Sequence, residues 1–361
     1  MKELTTFHTL LFQDARDCSN IKDESVDLVV TSPPYPMIEM WDGLFCGLST
    51  EASNALAAGD GMNAFEAMHR ELDKVWAHQF RALKSGGFLC INIGDATRTV
   101  AGTFRLYPNH VRAASCCMGL GFDPLPIIHW WKPTNAPNKF MGSGMLPAGA
   151  YATLEHEYIL IFRKGGKREV ATDGQQQARY ESAYFWEERN QWFSDTWDLK
   201  GLRQDLGSDA ASRQRSAAFP FELAYRLICM YSVQGDTVVD PFLGTGTTIF
   251  AAIAAGRSSI GVEIDKALGQ RIGGAILSCG DKVNEVIAGR LRKHDEFAHN
   301  RILAGKLLKY VNDGLGCQVM TGQETKCTFP LVDRIEEAGP GRFKVTCRKP
   351  AFPGASDEVK R

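Results

Sequence analysis

The sequence has 361 residues, of which 44% are hydrophobic and 23% are charged. This ordinary globular composition excludes a mainly disordered, collagen-like or coiled-coil chain, and the length suits one large α/β unit with a smaller insert. The 41 Lys and Arg residues nearly balance the 42 Asp and Glu residues, so no overall basic field attracts polyanions. A nucleic-acid surface would therefore have to be local.

Short apolar runs rich in Val, Ile and Phe alternate along the chain with amphipathic helical patterns. This alternation predicts an α/β fold with a doubly wound, mostly parallel sheet covered by helices. The predicted strands are residues 9–13, 26–31, 87–93, 125–131, 158–163, 237–240 and 259–263. The predicted helices are residues 64–83, 108–118, 220–231, 247–255 and much of 266–295.

Two stretches depart from this alternation. Residues 165–215 lack apolar runs and carry aromatic side chains among charges and turn formers, which predicts an inserted subdomain. Residues 44–63 are rich in Gly, Ala and Ser and are predicted to form a flexible excursion. The chain after about residue 300 is expected to be a C-terminal appendage, with a strand near its end.

The compartment is predicted from what the sequence lacks. Its ten cysteines are scattered without a CxxC pair, which argues against a zinc site or a disulfide framework. No secretory signal or apolar run of membrane-spanning length is found, so a cytoplasmic protein without membrane contact is expected. His129 and His156 lack ligand partners in the sequence pattern, and no metal is expected.

The segment VVDPFLGTGTT, residues 238–248, is a hydrophobic strand that leads through a glycine turn into a helix of small residues. Glycines are needed where the backbone turns sharply and a ligand approaches a helix start. Glu263 follows Gly244 by about twenty residues, the spacing of an acid that accepts hydrogen bonds from ribose hydroxyls. The third glycine of a dinucleotide motif and the Lys-Ser/Thr pair of a P-loop are both missing. A cofactor with ribose and adenine but no phosphates, S-adenosylmethionine, is therefore predicted; the alternative is a plain strand-to-helix turn.

A second loop follows the predicted strand at residues 26–31 and reads Ser32-Pro33-Pro34-Tyr35. Ligands of open parallel sheets bind at the carboxyl ends of strands. The two prolines fix the backbone, so that the Ser32 hydroxyl and the Pro33 carbonyl can serve as rigid acceptors. Tyr35 adds an aromatic face. Considered alone, a Pro-Pro pair after a strand more often marks an ordinary loop.

Together, TSPPY, DPFLGTGTT and GVEID resemble the amino-group DNA methyltransferases of the permuted class called β, most closely the cytosine-N4-specific members of restriction-modification systems. The resemblance implies a circularly permuted, seven-stranded methyltransferase sheet with a target-recognition insert. It implies a catalytic half at 1–164, a target-recognition region at 165–215, a cofactor-binding half at 216–300 and an appendage at 301–361. Adenine-N6 members more often have Asp or Asn in place of Ser32.

The resemblance also implies roles for individual residues. Catalysis is expected at Ser32, Pro33, Pro34 and Tyr35. Cofactor contacts are expected at Asp14, Ala15, Asp240, Pro241, Phe242, Gly244, Gly246, Thr247, Glu263, Ile264, Phe219 and Glu222. Asp14 is equally well interpreted as a turn residue, whereas Asp240 is better interpreted as a brace of the glycine loop than as a contact of the cofactor. Basic residues expected to contact DNA are Lys164, Lys167, Arg203, Arg213 and Arg215.

The implied reaction is methyl transfer from S-adenosylmethionine to the N4 amine of a cytosine flipped out of duplex DNA. Tyr35 is expected to stack on the extruded base. A cognate restriction endonuclease that acts on the same site is the further partner implied. The alternatives are an adenine-N6 methyltransferase and a non-catalytic, cofactor-dependent DNA-binding regulator, with a nicotinamide oxidoreductase as a distant third.

Overall fold

A computed structural model of the protein describes residues 4–132, 141–142, 145–199 and 219–348, with residues 141–142 described for their backbone only. The strands are β1 (Leu4–Phe12), β2 (Val26–Thr31), β3 (Leu83–Ile93), β4 (Ala96–Val100), β5 (Thr103–Tyr107), β6 (Phe122–Pro124), β7 (Ile128–Trp131), β8 (Met141–Gly142), β9 (Ala150–Tyr151), β10 (His156–Lys164), β11 (Thr196–Asp198), β12 (Thr237–Asp240), β13 (Ser258–Glu263), β14 (Tyr310–Val311), β15 (Gln318–Val319), β16 (Leu331–Gly339) and β17 (Arg342–Arg348). The helices are α1 (Asp42–Leu48), α2 (Thr50–Ala57), α3 (Gly61–Ala82), α4 (Asn109–Gly119), α5 (Asp173–Glu181), α6 (Trp186–Trp192), α7 (Phe221–Tyr231), α8 (Thr247–Ala255), α9 (Lys266–Leu277) and α10 (Gly280–Leu303).

The main sheet has the strand order β11-β7-β10-β3-β2-β12-β13-β1-β17-β16, with β6 beside β10. Strands β3, β2, β12, β13 and β1 run parallel to one another, whereas β10 is antiparallel to both β3 and β7, and β17 is antiparallel to β1. The seven predicted strands are the seven neighbours from β7 to β1. The mostly parallel α/β sheet is thus confirmed, and the described residues extend it to eleven strands. Circular permutation stays a prediction.

Helices cover both faces of this sheet, as the doubly wound prediction requires. On one face, apolar residues of α3 and α4 pack on side chains of β2 and β3 such as Val29 and Ile91. On the other face, α7, α8 and α10 pack on alternate residues of the same strands, including Leu28 and Cys90. Each buried aliphatic side chain contributes about 1.5–3 kcal/mol to folding, so the sheet is a rigid platform for the loops at its edges.

The prediction of a flexible excursion at residues 44–63 is wrong. The segment contains most of α1, all of α2 and the start of α3. The Ser49 side chain accepts a hydrogen bond from Ala52 N, and the Asp60 side chain accepts one from Asn63 N, so each residue caps the helix that follows. Ala52 is fully buried, which shows that α2 packs despite its low hydrophobicity.

The described part of the predicted insert contributes to the main sheet and to its core. Residues 165–199 contain α5, α6 and β11, and β11 pairs in parallel with β7. Phe185, Trp192 and Trp197, three of the aromatic residues that mark this segment, are buried in the main core. Residues 200–215 lie outside the described part of the chain, and the domain boundaries stay predictions.

The ten cysteines are all free thiols. In the described ranges, no cluster of three or more His, Cys, Asp or Glu side chains is arranged to hold a metal ion. Over the same ranges, no helix combines the length and the apolar character needed to cross a bilayer.

Candidate active site

The two loops singled out in the sequence meet at the carboxyl edge of the sheet. Strands β2 and β12 are parallel neighbours, with Val238 opposite Leu28, so the loops that follow them begin side by side. The Thr31 hydroxyl donates a hydrogen bond of 2.7 Å to Asp240 Oδ1 across this boundary. Ser32 directly follows Thr31 in the sequence and the glycine loop directly follows Asp240, so both loops lie at one edge.

Asp240 connects the two loops through the hydrogen bonds that its carboxylate accepts. Its carboxylate is only 2% exposed and accepts hydrogen bonds from the Thr31 hydroxyl, the Thr248 hydroxyl at 2.6 Å and the Phe242 amide at 3.0 Å. Burial raises the pKa of Asp240 to about 6, although these hydrogen bonds oppose the rise. The interpretation of Asp240 as a brace therefore fits its surroundings, while direct contact with a cofactor stays a prediction.

The raised pKa of Asp240 predicts a pH-dependent effect of Asp240→Asn. A carboxyl group whose pKa is raised in the folded state contributes its full stabilisation below its ordinary pKa of 3.8. This stabilisation is lost as pH rises through the folded-state pKa of about 6. We therefore expect urea denaturation to show the wild type losing stability relative to the variant, on the order of 2–3 kcal/mol between about pH 4 and pH 7. A stability difference that is constant over this range would contradict the assignment.

The glycine loop owes its shape to two residues in the left-handed region, Gly244 with φ of 54° and Gly246 with φ of 88°. A Cβ on Gly246 would also lie 3.0 Å from Ile272 Cγ2. The turn brings the Gly244 amide within 2.9 Å of Glu263 Oε2, and the Asp265 amide holds Oε1 at 2.9 Å. Glu263 is thereby fixed beside the loop. The other predicted cofactor residues of the loop are buried or half-buried, namely Pro241, Phe242 and Thr247.

The surroundings of Glu263 fit a nucleoside cofactor without phosphates. Phe12 is its partner across β1 and β13, and Phe12 and Ile264 are 38% and 55% exposed. A carboxylate can accept hydrogen bonds from ribose hydroxyls, and exposed apolar side chains suit a purine face. Among the described residues, a Cβ on Gly244 would meet nothing nearer than Phe242 O at 3.9 Å, so there is room at this turn. The loop contains no Lys or Arg that would neutralise phosphates.

Asp14 and Ala15 lie in the turn after β1, next to Glu263, whose carbonyl accepts a hydrogen bond of 3.1 Å from Gln13 N. Asp14 accepts hydrogen bonds from the Arg16 amide at 2.8 Å and from its guanidinium at 2.7 and 2.9 Å. Burial alone would raise the pKa of Asp14, but the bonds from Arg16 lower it overall. Asp14 thus braces the turn, Ala15 is buried, and adenine contact stays a prediction.

Tyr35 is anchored by its hydroxyl, which the sequence did not predict. The hydroxyl lies 3.0 Å from Ser32 Oγ, donates to Glu157 Oε2 at 2.9 Å and accepts from Asn92 Nδ2 at 2.9 Å. The ring passes close to Gly94, where a Cβ would lie 3.0 Å from Tyr35 Cε2. Burial, followed by the charge of Glu157, raises the pKa of Tyr35 well above its ordinary value. Ser32, Pro34 and Tyr35 are half-buried and Pro33 is buried.

Sequence reasoning missed Glu157, a carboxylate that is 9% exposed and lies next to the start of β10. The antiparallel register of β10 on β3, with Tyr158 opposite Ile93, brings Glu157 to Tyr35 in the Ser-Pro-Pro-Tyr loop. Its Oε1 accepts a hydrogen bond of 2.6 Å from Lys132 Nζ, and its Oε2 accepts one of 2.7 Å from Asn92 Nδ2. A carboxylate directly before the apolar run YILIF was the available signal.

A second missed residue, Asn109, supports the loop from α4. Its side-chain amide donates to Pro36 O at 3.1 Å and to Gly94 O at 3.0 Å. Its Oδ1 is 2.9 Å from His69 Nε2, so α3, α4 and the loop share one buried polar contact. These hydrogen bonds hold the end of the Ser-Pro-Pro-Tyr loop in a fixed position relative to β3.

Phe219 and Glu222 lie at the start of α7, which packs against β2, β3 and α8. Phe219 is buried, and Glu222 Oε1 accepts a hydrogen bond of 2.8 Å from Arg226 Nε one turn later. The described contacts of both residues are thus with the protein itself. Their predicted contact with the methionine part of the cofactor stays a prediction.

The structure does not bring Lys164 and Lys167 to this edge. Because β10 is antiparallel to β3, Lys164 ends the strand where β3 begins, and its Nζ donates to Leu83 O at 2.7 Å. Lys164 and Lys167 therefore lie at the edge of the sheet opposite the Ser-Pro-Pro-Tyr loop, and their contact with DNA stays a prediction. Arg203, Arg213 and Arg215 lie outside the described residues. The carboxyl edge instead carries the β4–β5 hairpin, which exposes Phe104 and Leu106.

Comparisons with known proteins agree with this geometry. A family model described as DNA methylase, covering N6 and N4 methyltransferases, matches residues 26–271. The chain is 50% identical over 323 residues to the Type II methyltransferase M.MthZI of Methanothermobacter thermautotrophicus, covering 89% of each chain. It is 50% identical over 277 residues to the Type II methyltransferase M.MjaI of Methanocaldococcus jannaschii, covering 74% of this chain and 90% of the relative. The structure of a putative DNA modification methylase from Thermus thermophilus in complex with S-adenosyl-L-methionine is 33% identical, with a TM-score of 0.56 over 77% of this chain and 95% of that one.

Proposed function

This chain belongs to the N6 and N4 DNA methylase family, and within that family we propose that it methylates the exocyclic N4 amine of cytosine in duplex DNA. It is an S-adenosylmethionine-dependent DNA methyltransferase. The proposal depends most on one observation, the Thr31–Asp240 hydrogen bond that joins the Ser-Pro-Pro-Tyr loop to the glycine loop. This contact supports a reaction between two ligands, one at each loop.

The catalytic loop supplies acceptors for an amine. An exocyclic amine is a poor nucleophile because its lone pair is delocalised into the ring. We infer that the Ser32 hydroxyl and the Pro33 carbonyl accept its two N–H bonds, direct the lone pair towards the methyl group and stabilise the positive charge that develops. The base must leave the stack to reach this loop, and stacking on Tyr35 would recover about 1–3 kcal/mol.

The glycine loop and its neighbours would hold the cofactor, which supplies the methyl group when bound. Glu263 is proposed to accept hydrogen bonds from the ribose hydroxyls, because two backbone amides already fix its orientation. Ile264 and the turn at Asp14 and Ala15 are proposed to face the adenine. Gly244 leaves room for the methionine part.

Ser32 favours cytosine N4 over adenine N6, which remains the second candidate. The test is to incubate the purified protein and S-adenosylmethionine with duplex DNA, digest the DNA to nucleosides and identify the methylated product by mass spectrometry. N4-methylcytosine is the expected product. N6-methyladenine alone would overturn the choice of base, and no methylated nucleoside would favour a non-catalytic DNA-binding regulator.

The biological role is proposed from the relatives. M.MthZI and M.MjaI carry the name Type II methyltransferase, and we propose that this chain likewise protects DNA in the cytoplasm from a cognate restriction endonuclease. DNA is proposed to approach the carboxyl edge of the sheet, next to the β4–β5 hairpin. Plasmid DNA from cells that express the protein should carry the modification at one short sequence, which modification-sensitive sequencing would identify.

A further inference from the structure

We propose that Glu157 is a positioning residue that sets the direction of the hydrogen bonds around Ser32, so that Ser32 Oγ faces the substrate amine as an acceptor. The inference rests on the proposed amine methylation and deepens it. It assigns the buried carboxylate of β10 to the reaction without placing it in contact with the substrate. The residues that carry it are Ser32, Tyr35, Asn92, Lys132 and Glu157.

The network around the Tyr35 hydroxyl begins at a carboxylate that can only accept. Glu157 Oε1 accepts a hydrogen bond from the Lys132 ammonium at 2.6 Å. Its Oε2 accepts hydrogen bonds from Asn92 Nδ2 at 2.7 Å and from the Tyr35 hydroxyl at 2.9 Å. All three of these neighbours present N–H or O–H donors, so both oxygens of Glu157 act as acceptors. An ionised carboxylate has no proton to donate, so the bond to Tyr35 has one direction.

The direction of this bond determines the next one. Tyr35 has a single hydroxyl proton, which forms the hydrogen bond to Glu157. The pKa of Tyr35 is raised, so the tyrosine keeps this proton. The backbone carbonyl of Asn92 lies 3.5 Å from the Tyr35 oxygen and competes poorly for this hydrogen bond. Asn92 Nδ2 donates to the Tyr35 oxygen at 2.9 Å. The 3.0 Å contact between Ser32 and Tyr35 must therefore have Ser32 as its donor.

Ser32 then has no proton left for the substrate. Its oxygen presents only lone pairs towards the pocket, which is what an amine N–H requires. If a donor stood in place of Glu157 Oε2, the chain of hydrogen bonds could reverse: Tyr35 would donate to Ser32, and the Ser32 proton would face the amine protons. Two donors facing each other would displace the amine from its reactive orientation, and a small displacement can lower the rate by about 100-fold.

The primary test is Glu157→Gln in the full-length protein, measured by steady-state methyl transfer to duplex DNA. We expect kcat to fall by about 10- to 100-fold, with the dissociation constants of S-adenosylmethionine and DNA unchanged. Asp236→Asn is the matched control, because Asp236 is also a buried carboxylate in an ion pair, with Arg168, but belongs to the opposite edge of the sheet. Its kcat should stay near that of the wild type.

A carboxylate–amide exchange separates positioning from a structural role. In the double variant Asn92→Asp with Glu157→Gln, the carboxylate at position 92 would accept a hydrogen bond from the Tyr35 hydroxyl. The amide at position 157 would donate a hydrogen bond to Tyr35 and accept one from Lys132. The original hydrogen-bond direction is thereby restored, and kcat should recover to within about fivefold of the wild type. In a Tyr35→Phe background the link to Ser32 is absent, so adding Glu157→Gln should lower kcat little further.

Each outcome bears on one claim. The inference is overturned if Glu157→Gln leaves kcat unchanged, if the exchange variant stays as slow as Glu157→Gln while folded by thermal denaturation, or if the Tyr35→Phe and Glu157→Gln losses simply add. A wild-type protein that methylates no DNA would instead refute the proposed function. The two failures are therefore distinguishable.

Discussion

Replacing Ser32 with alanine is expected to lower kcat for DNA methylation by about 10²- to 10³-fold, the usual effect of removing one preorganised polar group from a reacting centre. The variant retains the Pro33 carbonyl but loses the second acceptor for the amine. Binding of S-adenosylmethionine should be unchanged, because the Thr31–Asp240 contact that supports the glycine loop does not involve the Ser32 side chain. The loss should therefore appear in kcat.

The measurement for Ser32→Ala is transfer of labelled methyl groups to duplex DNA at saturating cofactor, together with the cofactor dissociation constant from calorimetry. Ser278→Ala is a suitable control, since Ser278 is an exposed residue after α9 whose hydroxyl donates to the carbonyls of Gly274 and Ala275 in its own helix. Wild-type kcat in the Ser32 variant would show that the loop does not orient the amine.

Replacing Glu263 with glutamine is expected to weaken S-adenosylmethionine binding by about 10- to 100-fold. The carboxylate accepts the Gly244 and Asp265 amides, one on each oxygen. An amide side chain would face one of these N–H groups with its own NH₂ group, so the loop would lose a bond as well as a charged acceptor for ribose. Hydrogen bonds to charged groups contribute about 1.5–3 kcal/mol, and about 1.4 kcal/mol corresponds to tenfold in affinity.

Calorimetric titration with S-adenosylmethionine measures this effect directly. Glu285→Gln is the control, because Glu285 is also a glutamate held by a polar partner, here Arg292, but is exposed on α10. Its affinity should equal that of the wild type. Equal affinities for Glu263→Gln and the wild type would show that Glu263 does not hold the cofactor.

Most of the central fold could be predicted because its strands are distinct apolar runs. The seven predicted strands are adjacent in the sheet, and two of them, β2 and β12, have the predicted bounds. The missed strands β6 and β11 have only three residues, and β16 is largely half-buried or exposed, so neither length nor alternation distinguishes them. Helices α1 and α2 were missed because their composition resembles a loop, although Ser49 and Asp60 were usable capping signals.

The candidate site, like the fold, could be predicted from the sequence only in part. Its two loops follow strands that the sequence identifies, and parallel strands place their carboxyl ends at one edge. Glu157, Lys132 and Asn92 could not be connected to the catalytic loop, because their proximity depends on the register of β10 on β3, which no local pattern encodes. The same antiparallel pairing explains why Lys164 lies at the sheet edge opposite the Ser-Pro-Pro-Tyr loop, which its position in the sequence does not reveal.

A structure of the protein with S-adenosylhomocysteine and a duplex oligonucleotide that contains its target sequence would test the proposed reaction at its reacting atoms. We expect an extruded cytosine stacked on Tyr35, with its amine bonded to Ser32 Oγ and Pro33 O and directed at the cofactor sulfur. The glycine loop and Glu263 should surround the nucleoside. A target base that stays paired, or that enters a pocket away from Ser32, would contradict the account.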